Sequence, residues 1–454
     1  MTGLVLALCL LTAGCDQDTG KNSESTAEAP SQAASAEVTK QTEQTEHTEQ
    51  TEITTTADST AAEDPEDATP EEAEMHILDL NKRTTFEYRW DDETAKSLVE
   101  CEYTAVLLGS EAAERYPELA AVLTATASAE ENSLKSEFQT LSEAVDEMTA
   151  MDMELSGPLA SKLDAQVRRA DSVVLSVVTD CRYNNGMNGG HRSFWGSNYD
   201  TETGRTLHLP DVVTDMDAFA KAVEEKLFGE FGAELFYRDD IIREYFEMYG
   251  ADGTHWSLDY NGVTVYFDSG EITSEGVGAM NVTMTFAEYP ALFSEKYTAV
   301  PDAYIVSLPM KSAFCTDLDG DGKCEELSIC DSYDEENDYY ATVDIFSGEA
   351  SYTEDMWAYS FEPYYVKTAE GRHLLYLFTE LETQMYLYVY DIAGGAISKV
   401  GEADLSPYYS DGVSALLTDP DRMHFDIFSD EAGGGVSEGN DIFSAGVDGM
   451  PAQG

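Results

Sequence analysis

From Asp16 to Met75 the chain contains no Phe, Tyr or Trp, and Lys21 and Lys40 are its only lysines or arginines. The segment is built mainly from Thr, Glu, Ser, Ala and Gln, with TEQTEHTEQTE as an imperfect repeat. Such a stretch cannot bury enough apolar surface to offset the entropy of ordering it. Residues 16–75 are therefore expected to form a disordered linker, extended by the mutual repulsion of its acids. Any packed core must come from residues 76–454, and the material is there. The 454-residue chain is 42% hydrophobic and 11% aromatic, and its length suits two or three domains at ~100–200 residues each.

Charge narrows the classes of partner. Lys+Arg is 25 and Asp+Glu is 89, a formal net charge of −64. A nucleic-acid binder needs a cationic face, which this balance disfavours. Docking on anionic lipid through basic residues is disfavoured for the same reason. Cationic proteins and divalent cations are what such a field attracts. Oligomeric state cannot be read from it.

The first fifteen residues, MTGLVLALCLLTAGC, are an apolar run closing on small residues and Cys15. Leu11-Thr12-Ala13-Gly14-Cys15 resembles the lipobox of bacterial lipoproteins. The resemblance implies cleavage before Cys15 and a diacylglycerol on its sulfur, so residues 1–15 would be a signal peptide and lipobox. The run is too short to cross a bilayer as a helix, which takes ~20 residues. The expectation is an extracytoplasmic, lipid-anchored protein of a Gram-positive-type bacterium, with 16–75 as its stalk.

Residues 76–300 read as an α+β domain. Thr85–Tyr88 and Leu98–Leu108 alternate as strands. Helix follows from Tyr116-Pro117 through Ala127 and again over Ser133–Met151, where Leu134, Phe138, Leu141, Val145 and Met148 share a face. Val173–Val178 returns to strand and runs into the turn NNGMNGGHR. Residues 216–249 look helical, with Phe219, Val223, Leu227 and Phe231 on one side. Asn261-Gly262 then turns a hairpin between Trp256–Asp259 and Val263–Phe267. Several pieces together resemble a family: Asp171–Val178, Gly189-Gly190-His191, Tyr199–Leu209 running into Pro210-Asp211-Val212-Val213, and Gly262–Asp268 with Glu271-Ile272, Val282–Phe286 and Tyr289. They look like the extracellular domain of the RsiV anti-sigma factor, also found in some peptidoglycan deacetylases and in surface lipoproteins, over roughly residues 77–297. The resemblance implies a fold and, from RsiV itself, capture of lysozyme. The deacetylase metal motif, the sigma-binding segment and the membrane span of those relatives are not in this sequence.

Residues 301–454 are expected to be all-β. The strongest chemical motif is Asp317-Leu-Asp319-Gly-Asp321-Gly322-Lys323-Cys-Glu325. Oxygens at positions 1, 3, 5 and 9, a carbonyl from Lys323 at position 7 and a Gly at position 6 suit a hard cation with six or more oxygen ligands. An EF-hand needs Glu at position 12, which here is Ser328, and strand-like Glu326–Cys330 follows in place of a helix. The loop looks like the calcium loop of integrin-type FG-GAP propeller blades, so calcium is expected in a structural role. Short strands at Tyr340–Phe346, Tyr364–Lys367, His373–Phe378, Met385–Tyr390 and Ile397–Val400 read as antiparallel, propeller-blade-like sheets. Too few for a closed ring, they suggest an open fragment, with a compact β-sandwich as the alternative. Half of the 26 tyrosines lie between Tyr333 and Tyr409, a composition that suits either a binding surface or sheet packing.

Cys9 leaves with the signal, and five of the seven cysteines then remain besides Cys15. Export favours disulfides. Cys101 with Cys181, on strands of the first domain, is the preferred bridge. Cys315 with Cys330 would clasp the calcium loop and leave Cys324 odd, although connectivity cannot be deduced from spacing. Zinc is the competing use, but no paired Cys-x-x-Cys and His spacing supports it. The histidines are scattered and belong to no HExxH, and Gly-x-Ser-x-Gly and phosphate-cradling motifs are missing. No catalytic residue is nominated. The sequence reads as a binding or sensing protein for a cationic wall-active protein such as lysozyme. The alternative is a calcium-stabilised adhesive module that binds glycan or protein through its β-rich region.

Overall fold

In the computed structural model, residues 75–454 are described, apart from Asn188, 335–338, 382–383, 394–395, 409–412, 430–435 and Gly454. Cys15 and residues 16–74 of the expected linker lie outside the described residues. Strands β1 (Leu80–Trp90) and β2 (Ser97–Leu108) are followed by helices α1 (Ser110–Arg115) and α2 (Pro117–Ala150). Next come β3 (Leu159–Ala170), β4 (Val174–Asn185) and β5 (Gly190–Asp200), then α3 (Leu209–Val212), α4 (Met216–Phe231) and α5 (Ile241–Gly253). A small meander, β6 (His255–Leu258), β7 (Gly262–Phe267) and β8 (Met280–Thr285), leads to α6 (Glu295–Thr298). The rest is strand: β9 (Tyr304–Ser307), β10 (Phe314–Thr316), β11 (Glu325–Asp334), β12 (Tyr339–Ser347), β13 (Ala350–Ala358), β14 (Ser360–Lys367) and β15 (His373–Leu381). β16 (Gln384–Asp391), β17 (Ser398–Asp404), β18 (Val413–Leu416), β19 (Met423–Ser429), β20 (Val436–Ala445) and β21 (Pro451–Gln453) complete it.

The first sheet is six-stranded, in the order β18-β1-β2-β3-β4-β5. Its pairs are antiparallel except β2–β3, which is parallel, because α1 and α2 carry the chain back across one face. Pro117 opens α2, where its missing N–H costs nothing. The helix read through Ala127 and continuing over Ser133–Met151 is one element, with residues 128–132 helical as well. Leu119, Leu123, Ala127, Leu134, Leu141 and Val145 form its buried stripe. Odd-numbered residues of β2, among them Val99, Cys101, Tyr103 and Ala105, face that stripe.

The expected helix over 216–249 is instead two. Gly232, at φ +82°, ends α4 in a conformation an L side chain resists, and the Asp215 carboxylate caps its start by accepting the Ala218 N–H at 3.0 Å. Helices α3 to α5 pack on the β6–β8 meander, burying Phe219, Val223, Leu227, Ile242, Val263 and Phe267. The meander sits against β4 and β5 at close range. A Cβ at Gly196 would stand 1.7 Å from the Trp256 carbonyl oxygen, so only glycine permits this approach. The Asn198 amide donates to that same carbonyl at 3.0 Å.

Two arginines on β3 tie the layers together. Arg168, where a bulge interrupts the β3–β4 register, donates Nε and Nη2 to the Asp259 carboxylate at 2.9 and 3.1 Å. Arg169 donates to Asp171 at 2.7 Å and to the carbonyls of Tyr297 and Ala299 at 2.6 and 3.0 Å. Asp171 in turn accepts the Val173 and Val174 N–H groups. Both pairs are buried and hydrogen-bonded charge to charge, the condition under which buried charge is tolerated.

In the β-rich part, β10-β11-β12-β13 form one antiparallel meander and β17-β16-β15-β14-β9 another, with β19-β20-β21 as a third sheet. The middle sheet is covered on both sides. Tyr365, Leu375, Leu377 and Tyr390 pack toward the first meander, while Tyr364, Val366, Leu374, Tyr376 and Phe378 pack the other way. That explains why His373–Phe378 reads as an unbroken apolar run: successive residues serve opposite cores. Of the clustered tyrosines, Tyr364, Tyr365, Tyr376 and Tyr390 are thus core residues, while Tyr333 and Tyr359 are exposed. The fold is mostly strand with helices in the first part, and no closed barrel or propeller forms among the described residues. The described residues fall in a single compact unit. Strand β18 pairs with β1, Leu416 opposite Leu80, so the C-terminal region supplies the first sheet's edge. Among the described residues no helix is long and apolar enough to cross a membrane.

The expected Cys101–Cys181 bridge does not form, and both thiols are free and buried. Cys101 lies on β2 opposite Ser161 of β3, and Cys181 lies on β4 opposite Leu163 of β3. A whole strand separates them, about 9–10 Å at ~4.8 Å per strand, beyond the ~4.4–6.8 Å Cα span of a disulfide.

Candidate functional site

The acidic loop joins β10 to β11, whose register puts Thr316 opposite Glu325. Each carboxylate is fixed by main-chain donors. Asp317 accepts the N–H groups of Gly320 at 2.7 Å and Gly322 at 3.0 Å. Glu325 accepts the Leu318 N–H at 2.7 Å, and Asp319 accepts that of Asp321 at 3.0 Å. Gly320 and Gly322 have φ of +79° and +83°, which the tight winding of the loop requires. Leu318 is buried in the core below and anchors the loop.

This winding brings ligand oxygens of Asp317, Asp319 and Glu325 within 4.8 Å of one another. Asp321, expected in the same set, is turned elsewhere. Its Oδ1 accepts the Lys323 N–H at 2.8 Å and its Oδ2 the Lys323 ammonium at 3.1 Å. Those contacts hold the Asp321 carboxyl below its usual range. Three carboxylates with oxygen donors fit a hard divalent cation such as calcium.

A disulfide closes the loop, but with a different partner from the one expected. Cys315 bonds Cys324, their Cα atoms 5.4 Å apart, and Cys330 is free. The register explains the correction: Cys315 lies opposite Glu326, and Cys330 is four residues further along β11, roughly 13 Å at ~3.4 Å per residue. Cys324, treated in the sequence as the odd cysteine, is the residue that meets Cys315 at the mouth of the loop.

Beside the loop lies a cleft of about 330 Å³, lined by Asp317, Gly320 and Lys323 of the loop and by Tyr304, Lys367 and His373 among others. Tyr365 and His373 are joined through the phenol oxygen and Nδ1 at 2.6 Å. Burial, with Lys367 nearby, pushes the His373 imidazole down, and burial pushes the Tyr365 phenol well up. Both are therefore neutral near pH 7. The Lys367 ammonium lies 5.6 Å from the Tyr304 ring centre. Asp317 and Lys323 belong to the loop read from sequence, but Tyr304, Tyr365, Lys367 and His373 were not singled out there, because a strand's alternation does not say which face borders a loop far along the chain.

The structure resembles a DUF3298-family protein from Bacteroides fragilis at 13% identity and a TM-score of 0.34, covering 49% of this chain and 95% of that one. It also resembles a DUF3298-family protein from Pseudomonas aeruginosa at 15% identity and a TM-score of 0.33, covering 49% and 98%. Compared with protein-family models and with curated proteins, the sequence matches none.

Proposed function

We propose that this chain is a non-catalytic, extracytoplasmic binding protein, lipid-anchored at Cys15, that captures a cationic wall-active protein such as lysozyme. The observation that carries the reading is the whole chain's charge of −64, with the basic residues of the folded part largely spent internally. Lys82, Arg83, Arg89, Lys162, Arg192, Arg205, Lys226 and Arg372, for example, are each paired with a carboxylate of the same chain. The acids in excess face water and speed association with a basic partner. The RsiV-like motifs between residues 77 and 297 give the same direction. Residues 16–75 would then hold the folded part away from the membrane. Titrating lysozyme into a soluble chain beginning at Asp16 tests this. Saturable binding that survives moderate salt supports it, and no binding at low or moderate salt refutes it.

A second reading is favoured by the 317–325 loop. Calcium held by Asp317, Asp319 and Glu325, in sheets stacked like an open set of propeller blades, would stiffen an adhesive surface for glycan or protein. Chelation would then abolish ligand capture and Asp319→Ala would mimic it. Ligand capture unchanged by either treatment would refute that reading.

A further inference from the structure

Strand β1 carries Phe86, Tyr88 and Trp90 in a row on the sheet face opposite α2. Their neighbours Arg83 and Arg89 point the other way, Arg83 pairing with Glu131 of α2 and Arg89 with Asp146 at 2.6 Å and the Ser142 carbonyl at 2.7 Å. The three rings are 40%, 40% and 58% exposed, with centres 6.0 and 6.1 Å apart. Across the strand pair, Phe86 lies opposite Glu102, Tyr88 opposite Glu100 and Trp90 opposite Ser97. Glu100 pairs with Lys162 at 2.8 Å, and Glu102 makes no ion pair among the described residues. An exposed row of large aromatics beside carboxylates has the composition of a binding hot spot and its polar rim.

The chain's own packing shows which partner chemistry fits. Arg168 lies 4.7 Å from the Phe314 ring while pairing with Asp259. Arg192 lies 4.8 Å from Phe194 while pairing with Asp180. Lys399 lies 4.6 Å from Tyr388 while pairing with Glu354 and Glu402. Each is a cation held between a ring face and a carboxylate. Across β1 and β2 the rings and the Glu102 carboxylate are side by side, and among the described residues this chain places no cation over the three rings. The strand's free edge is a poorer docking element. There β18 covers only Leu80–Arg83, but charged residues and a bulge at Arg89/Trp90 blunt the remainder of the edge.

We infer that the face formed by Phe86, Tyr88 and Trp90 with Glu100 and Glu102 is the docking surface for a cationic protein, whose Arg or Lys side chains stack on the rings and pair with Glu102. The inference rests on the binding function proposed above and locates it. The test titrates labelled lysozyme into the soluble chain from Asp16, as wild type and as Tyr88→Ala/Trp90→Ala, Glu102→Lys and Trp357→Ala. Trp357 is an exposed aromatic on β13 and serves as control. Thermal melts verify folding of each variant. The ring variant should lose at least ~tenfold in affinity, as hot-spot truncations do. Glu102→Lys should weaken binding most at low salt, and Trp357→Ala should leave it unchanged. Wild-type binding matched by both the ring variant and Glu102→Lys would overturn this surface while leaving the proposed function standing. If wild type fails to bind at low and moderate salt, the function itself falls, and the surface with it. Loss in the ring variant with Glu102→Lys unaffected, together with capture of a neutral chito-oligosaccharide, would overturn the cationic partner in favour of a glycan.

Discussion

Asp259→Asn should be among the most damaging single substitutions in this chain. The Asp259 and Arg168 side chains are 1% and 3% exposed. The carboxylate takes two guanidinium hydrogen bonds, at 2.9 and 3.1 Å, and also accepts the hydroxyls of Ser257 at 3.1 Å and Thr264 at 2.6 Å. An asparagine in its place would keep one acceptor oxygen, turn an NH₂ group toward existing donors and leave the guanidinium charge buried without compensation. Breaking a buried pair in this way costs ~3–5 kcal/mol, a large share of the ~5–15 kcal/mol that holds a typical protein folded. At ~2–4 °C per kcal/mol for domains of 150–250 residues, the melting temperature should fall by on the order of 6–20 °C. Urea and thermal unfolding of the soluble chain measure the loss. Replacing both partners, Arg168→Met with Asp259→Leu, should recover much of it, since a packed apolar pair removes the orphaned charge. A loss below ~1 kcal/mol for Asp259→Asn, the range of exposed ion pairs, would refute the claim that this pair is a desolvated tie between β3 and the meander.

Three further outcomes are expected. If the 317–325 loop takes calcium, the ion should raise thermal stability, by ~2.7 kcal/mol at a hundredfold excess over Kd; Asp319→Ala should remove the gain, and wild-type stability indifferent to calcium and chelator would contradict the metal. Non-reducing peptide mapping should link Cys315 to Cys324, with Cys101, Cys181 and Cys330 alkylated only after denaturation or slowly, and Cys324→Ser should cost ~2–3 kcal/mol by loop-closure entropy; recovery of a Cys315–Cys330 peptide would contradict the register argument. Burial, with Glu271 close by, lifts the Asp268 carboxyl from 3.8 to about 7. Because the folded state there holds the proton more tightly than the unfolded chain, its stabilising effect is present in acid and fades as pH rises from about 4 to about 7. Asp268→Asn should flatten that part of the stability profile, and an unchanged slope would count against it.

Much of the architecture was legible where one local rule dominates. Alternation gave β2 and the Asn261-Gly262 hairpin, and the apolar face of Ser133–Met151 gave the second half of α2. What escaped was set by contacts far along the chain. β3, whose LASKLDAQVRRA mixes charge into a buried strand, does not look like core until Arg168 and Arg169 are seen paired with Asp259 and Asp171. The pairing of β18 with β1 joins residues more than three hundred positions apart, and no local pattern encodes it. The acidic loop was readable because its ligands are contiguous. The diversion of Asp321 to Lys323 was not, since it depends on side-chain rotation. Phe86, Tyr88 and Trp90 do leave a trace: aromatics at every second position, with Glu87 and Arg89 between them, mark one face of a strand. Their exposure could only come from the fold, which covers the opposite face with α2.

Lysozyme titrated into the soluble chain at low and at moderate salt tests the proposed function most directly. A surface that combines acids with aromatic contacts should bind saturably, weaken with salt and still hold its partner at moderate ionic strength, because the ring contacts are not screened. Binding that disappears entirely on adding salt would reduce the interaction to the general attraction of an acidic protein for a basic one. Absence of binding at both salts would contradict the proposed function outright.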